Sequence, residues 1–359
     1  MKVRISCKLA AIALAVVCAA VAQDQIAGPV PRFVTLPPKA SVGTAQPLVT
    51  LPTWTGSFTY LGTKYTYYMV GTAPNTGTST TVPAFIIPVK ITIGSHTFDP
   101  NTTNDAGESV VQQTVESPIF QNQTYTLGGT NVGTTQYEDA YQRANFWGTV
   151  KSHTGYHVLL SGPTILPALT LSPGSNGAVL SRNPFGGSVP TALVNITWID
   201  PKFGAYITAH TQIMPDTIPI FVTVNTYLTQ GPPNLNNCCI GGYHSANGPQ
   251  SYSHSTFITI PGDFSQDVSA LSHELGEWMD DPGVKGTFNR VRCGSLENGD
   301  PEEGFTNFGA FPYTLGGFTY NLQDLVFLEY FGAPTTTSVH GWMTFHDNPF
   351  GLRVCSNGG

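Results

Sequence analysis

Within the stretch SALSHELGEWMDDPG, Ser269 to Gly283, one imidazole and four carboxylates share a single helix-length segment: His273, Glu274, Glu277, Asp280 and Asp281. The chain has only 22 acidic residues and nine histidines, and ten of those acids fall between Asp263 and Glu303. On a helix, residues i and i+4 stand one above the other, so His273 and Glu277 can reach one cation. Glu274, next along, points to the flank, where it can act as a general base towards water. A divalent ion acidifies water in its coordination sphere, and this residue set suits that chemistry. A solvated acidic face is the commoner meaning of clustered charge. Here, however, the segment holds no lysine to balance its acids.

A third ligand is expected downstream, where CGSLENGDPEEG carries Glu297 and Asp300 beside Cys293. Either Glu297 ligates and Asp300 supports the histidine from behind, or the reverse. His244, in CCIGGYHSA, and its neighbour Tyr243 are candidates to stabilise an oxyanion, and His254 is a further candidate site histidine. A lone histidine is more often a hydrogen-bonded structural residue. One divalent metal is expected, with zinc the first choice. Calcium or manganese are the alternatives, because one histidine with two carboxylates is a hard, anionic donor set.

The elements that must position these groups are partly legible. Val268, Leu271, Leu275, Trp278 and Met279 recur at helical spacing and predict one apolar stripe, with the acids presented on the opposite side. Asp267 is the expected N-cap, and Asp281-Pro282-Gly283 the stop. Upstream, short runs such as GSFTYLGTKYTYYMVG and PAFIIPVKITIG alternate with Gly, Asn and Pro turns and predict antiparallel β structure. One helix interrupts them, TTQYEDAYQRANFWGTV, with Tyr141, Ala144 and Phe146 inward and Asp139 pairing Arg143 on its surface. After it come ALVNITWID, IPIFVTVNTYL, CCIGGYHSA and SYSHSTFITIP, and the last is the strand expected beside a substrate.

Lys2, Arg4 and Lys8, then the apolar run Leu9 to Val21 and the small residues Ala20 and Ala22, read as a signal peptide cleaved after Ala22. Its three positive charges leave 12 of the 15 basic residues against 22 acidic ones in the mature chain. That balance argues against nucleic acid or an anionic membrane as partner. No later run is long enough for a membrane anchor. We therefore expect residues 1–22 as signal, 23–52 as a proline-rich arm or linker, 53–185 as a β-rich domain with one helix, and 186–359 as a metal-binding domain. Four cysteines remain after the signal, Cys238, Cys239, Cys293 and Cys355, an even count that suits an oxidising compartment. Because adjacent cysteines are awkward partners, Cys238 and Cys239 are each expected to reach one of the distant pair.

From about residue 60 onward the chain resembles an uncharacterised family of secreted, chiefly acidobacterial proteins, through GTTQYEDAYQRANFW, CCIGGYHS, DVSALSHELGEWMDDP, LENGDPEE and YNLQDLVFLEYFGAP. Between residues 238 and 300 it is also similar to plant phosphate-induced, exordium-like proteins. Their histidine, His-Glu-x-x-Glu, Asp-Pro and Glu-x-Gly-Asp elements have counterparts at His244, His273 to Glu277, Asp281-Pro282 and Glu297 to Asp300. The order of strands, motif helix and return segment looks like a zincin, with glutamate in place of the second motif histidine. That resemblance implies an α+β fold: a mostly-β N-terminal region, then a zincin-like domain of twisted sheet plus metal-motif helix. It also implies a metallopeptidase acting on peptide, protein or cell-wall and matrix material, with Glu274 as base. The alternatives are a non-catalytic binding or matrix protein with a structural cation, and a glycoside hydrolase using Glu274 and Glu297.

Overall fold

Every residue of Ile218–Val224, sequence IPIFVTV, is buried, as befits a strand covered on both faces within a parallel array. In the computed structural model, which describes residues 29–34, 36–39, 49–347 and 352–356, this strand sits at the middle of the sheet that carries the site. The positioning elements are β1 (Thr53–Tyr60), β2 (Thr63–Val70), β3 (Ala84–Ile93), α1 (Tyr137–Asn145), α2 (Ile196–Ala209), β4 (Ile218–Val224), β5 (Cys238–Ile240), β6 (Gly242–Asn247), β7 (Gln250–Phe257), α3 (Ser269–Asp280) and β8 (Phe318–Gln323). β3, β4 and β7 run parallel, and β6 ends that sheet antiparallel to β7. β5 ends a second, four-stranded sheet.

Alternation along β6 and β7 sorts their side chains between two faces. Ser251 lies on the α3 side, where its hydroxyl accepts from Trp278 Nε1 at 2.8 Å. Tyr252 and His254 point the other way. Tyr252 donates to Asp200 of α2 at 2.6 Å, and Phe203 of α2 stacks on His254 with ring centroids 5.5 Å apart. His254 is thus a buried structural residue on the face opposite α3. The strand expected beside a substrate, SYSHSTF, is also an interior one, paired to both β4 and β6. The strand at the sheet margin is β6.

The chain is mixed α and β with strands predominating, 36 % against 20 % helix. Strands from both sides of residue 185 share the central sheet, and one hydrophobic core runs from Leu51 to Phe345. The boundary expected at 185 therefore passes through a common core. The expected signal, residues 1–22, lies outside the described residues. Among the described residues no helix is long and apolar enough to cross a membrane.

Helix α1 is more deeply embedded than its charges suggest: all nine of its residues are buried. Tyr141 and Ala144 face the core as expected, but Asp139 and Arg143 form no surface pair. Asp139 accepts from Thr135, from the Val158 N–H and from His157 Nδ1, at 2.6–2.7 Å. Arg143 donates instead to the carbonyls of Val132, Thr154 and Tyr156. Spacing identified the pair correctly as neighbours on a helix, but the adjoining loops supplied better-placed partners for each charge.

The cysteines pair differently from the expectation. Cys238 bonds to Cys239 across a cis peptide, and Cys293 bonds to Cys355. Cys238 and Cys239 lie in a satellite core with Phe33, Tyr227 and Phe264, whereas the Cys355 N–H binds Tyr330 O. Separate packing environments thus decide the pairing. The second bond closes a 62-residue separation, and it ties the chain end to the start of the segment bearing Glu297. Removing a cross-link over a loop of this length costs roughly 4 kcal/mol in the chain-entropy picture. We expect Cys355→Ser to lower the unfolding free energy by an amount of that order in urea titrations. A loss below about 1 kcal/mol would contradict this structural role.

Candidate metal centre

Helix α3 runs over the residues the sequence predicts, and its apolar stripe, Leu271, Leu275, Trp278 and Met279, is buried. Its start differs: Asp267 does not cap it, and the N-cap position is Val268 with no side-chain cap bond. Asp267 turns instead to Asn321, accepting from its backbone and side-chain amides at 2.8 and 2.6 Å. The larger difference is on the polar side. His273, Glu274, Glu277, Asp280 and Asp281 are all at most 2 % exposed, so the acid-rich face is enclosed rather than presented to water.

Two of those acids serve the enclosure. Asp280 accepts from Gln142 of α1, from Tyr141 at 3.0 Å and from Asn298 at 3.1 Å. Both Asp281 oxygens accept the Asn289 N–H, at 2.7 and 2.8 Å. Both acids are thus engaged by protein hydrogen-bond donors. They fasten the end of α3 to α1 and to the loop that begins the return segment.

The other three converge. Gln323 Nε2 donates to the Gly299 carbonyl at 3.1 Å, which turns its Oε1 towards His273 Nδ1, 2.7 Å away. The proton of His273 is thereby fixed on Nδ1. Its Nε2 keeps a bare lone pair, 3.1 Å from Glu277 Oε1 and 3.8 Å from Asp300 Oδ1, with no hydrogen-bond partner. His244 repeats the pattern from β6. Its Nε2 donates to the Asp281 carbonyl at 3.2 Å, leaving Nδ1 towards Glu274 Oε2 at 3.2 Å and Glu277 Oε2 at 3.7 Å. Glu297 Oε2 lies 3.9 Å from His244 Nε2.

Two groups of donors able to hold a metal ion result: His244 with Glu274 and Glu277, and His273 with Glu277 and Asp300. They share Glu277, one oxygen facing each histidine. Of the expected ligands, His273, Glu277 and Asp300 are brought together, while Glu297 stands on the His244 side.

Electrostatics here favour neutralisation of the carboxylates. Burial holds His244 down at about 3 and lowers His273, so both imidazoles are neutral donors. Burial, then the neighbouring Glu277 and Glu297 charges, pushes Glu274 well above the carboxylate range; Glu277 is raised by burial and by Asp300. Among the described residues, no lysine or arginine forms a salt bridge with Glu274, Glu277 or Asp300. A lone pair facing carboxylate oxygens needs a proton or a cation between them, and a divalent ion satisfies several such contacts at once.

Glycines make the close approaches possible. A Cβ at Gly299 would collide with the His273 ring, and one at Gly242 would sit 2.8 Å from Glu274 Oε1. Asp300, with a side chain 47 % exposed, opens the centre to solvent. It and Glu297 line a 360 Å³ pocket with Cys293, Ser295, Pro301, Tyr330 and Phe331.

Three participants escaped the sequence reading. Gln323 sets the tautomer of His273 from 50 residues away, with no local signal beyond being a polar residue in a strand. Phe33, in the proline-rich arm, stacks on His273 with ring centroids 3.8 Å apart. Glu303 lies in the acidic run already noticed and accepts the Phe33 N–H. Gln323 and Phe33 are set by tertiary placement alone. No family model matches the chain, and neither does any curated protein or solved structure.

The buried acids give a pH signature. Burial pushes Asp267, Asp280 and Glu329 each up to about 7, against 3.8–4.5 in an unfolded chain. The native state therefore binds more protons between about pH 4 and 7, and stability falls as pH rises through that window. The melting temperature of chelator-treated protein should climb from pH 8 to pH 5. A saturating divalent ion should raise it more at pH 8 than at pH 5. Melting temperatures that fall on acidification over this range would contradict the assignment.

Proposed function

We propose that the chain is a secreted, zincin-like metallohydrolase acting on peptide bonds, with a divalent cation held by His273 Nε2, Glu277 and Asp300. One observation carries the reading: the unpartnered, buried Nε2 of His273 faces carboxylates, one of which, Asp300, opens to a solvent pocket. The order of strands, motif helix and return segment supports the zincin-like form, and the disulfides suit an exported protein.

A bound divalent ion supplies Lewis acidity there, and zinc, calcium and manganese all accept such donors. The chain's own groups do the rest. Gln323 orients His273, and the Gly299 and Asp300 N–H groups, each 3.2 Å from Glu277 Oε1, hold that carboxylate in place. With a cation offsetting the neighbouring carboxylate charges, Glu274 would be the proton acceptor, since its Oε1 has no hydrogen-bond partner while its Oε2 rests against His244. His244 Nδ1 is free to share the proton that Glu274 receives, because its other nitrogen donates to the Asp281 carbonyl. The pair forms a proton-handling relay beside the cation.

A second reading is a structural cation, calcium in particular, in a non-catalytic extracellular binding or matrix protein. The depth of His273, Glu274 and Glu277 favours it. Glu274→Gln separates the two. Under the enzyme reading the variant keeps its metal but loses about a hundredfold or more in cleavage of an unfolded protein substrate, and a chelator abolishes wild-type cleavage. Under the structural reading the wild type cleaves nothing, and chelation shows only as a lower melting temperature.

A further inference from the structure

The proline-rich arm does not stand off as a linker. Its described residues 29–34 and 36–39 lie extended along the outer margins of β5 and β6. The Val30 and Arg32 N–H groups donate to the Cys238 and Cys239 carbonyls, at 2.9 and 3.0 Å, and the Cys239 and Gly241 N–H groups donate back to Val30 O and Arg32 O. Further along, Lys39 N donates to Ala246 O at 2.7 Å and Gly248 N to Lys39 O at 2.8 Å. The two bridges, Arg32 with Ile240 and Lys39 with Asn247, are both parallel and share one register. The described residues of the arm therefore bridge in one register to the open edges of two sheets.

At Phe33 the arm lies against the candidate metal centre. Phe33 fills a slot between Phe264 (centroids 4.8 Å) and His273 (3.8 Å). The slot exists because residue 241 is glycine: a Cβ there would stand 2.9 Å from the Phe33 ring. Glu303 accepts the Phe33 N–H, Ser245 Oγ donates to Leu36 O at 3.1 Å, and Asp200 pairs with Lys39. Pro37 and Pro38 line an 820 Å³ groove that shares Ser295 with the pocket holding Glu297 and Asp300.

Main-chain pairing to a sheet edge, a pocket for one side chain and acids at both ends are the ingredients of extended-peptide recognition. We propose that this edge is a peptide-binding groove whose resident occupant is the chain's own arm, and that an extended peptide with an aromatic residue flanked by basic ones takes the arm's place. As an account of the substrate, this rests on the peptidase reading above. Binding itself does not. Tethering gives the arm an effective concentration of order millimolar, so a free peptide competes only when the arm is weakened or displaced.

The test uses a fluorescently labelled peptide of the arm's sequence, PVPRFVTLPPK, with full-length protein and anisotropy as readout. The wild type should bind it weakly. Phe33→Ala should bind it at least tenfold more tightly, and should discriminate against the same peptide with alanine for phenylalanine. Lys39→Ala, at the partly exposed end of the arm, provides a second weakened form should the first fail to fold. In the unmodified protein, hydrogen exchange at Val30, Arg32 and Lys39 should be faster than at β4, showing that the arm opens locally. Folded variants that bind the peptide no better than wild type, or arm amides that exchange only with global unfolding, would make the arm a fixed structural strand and overturn the proposal. None of these readouts depends on metal or cleavage. A failed groove is therefore distinguishable from a failed metal centre, which metal content reports.

Discussion

Two neutral imidazoles pressed against carboxylates, deep in protein and with no salt bridge from a lysine or arginine among the described residues, set the terms for the surrounding structure. An anionic cluster of this kind is expensive to bury, and the fold concentrates its resources around it. α1 reaches in to satisfy Asp280, Asn289 satisfies Asp281, and Gln323 fixes the proton of His273. His273 Nε2 and Glu274 Oε1 are left without a hydrogen-bond partner, each within a group of donors that shares Glu277. The fold satisfies Asp280 and Asp281 fully yet leaves His273 Nε2 with no hydrogen-bond partner, which suits that atom to hold a cation.

The return segment shows how backbone choice serves the same end. Asp281-Pro282-Gly283 ends α3 as its sequence implies. Asn289 then anchors the loop to β2 through reciprocal bonds with Tyr68 and to the helix end through the Asp280 carbonyl. The Cys293–Cys355 bond restrains the next residues, and Gly299 brings the loop onto the His273 ring. Glu297 and Asp300 are delivered by this sequence of restraints rather than by a helix or strand of their own.

The chemistry of α3 was legible because helical spacing is a local property: His273 and Glu277 meet wherever that helix is placed. Its burial was not, since charge on a helix ordinarily faces water, and only the tertiary fold supplies α1, β6 and the return loop to cover it. The mixed α and β character was legible from the strand runs. The common core was not, because nothing local shows that β3 pairs with a strand more than a hundred residues later. His244 could be suspected from its setting in CCIGGYHS. Both glycines of that stretch make room for a larger neighbour, Gly241 for Phe33 and Gly242 for Glu274. Gln323 and Phe33 carried no such marker.

The most direct test is anomalous diffraction from crystals of the purified protein grown with zinc, manganese or calcium, recorded either side of an absorption edge where one is accessible. The central claim predicts a peak within coordination distance of His273 Nε2 and Glu277, about 2.0–2.6 Å depending on the ion, absent from His273→Ala crystals. No peak among His244, His273, Glu274, Glu277 and Asp300, with those carboxyls joined to the imidazoles by short hydrogen bonds, would contradict it: protons alone would then hold the cluster together.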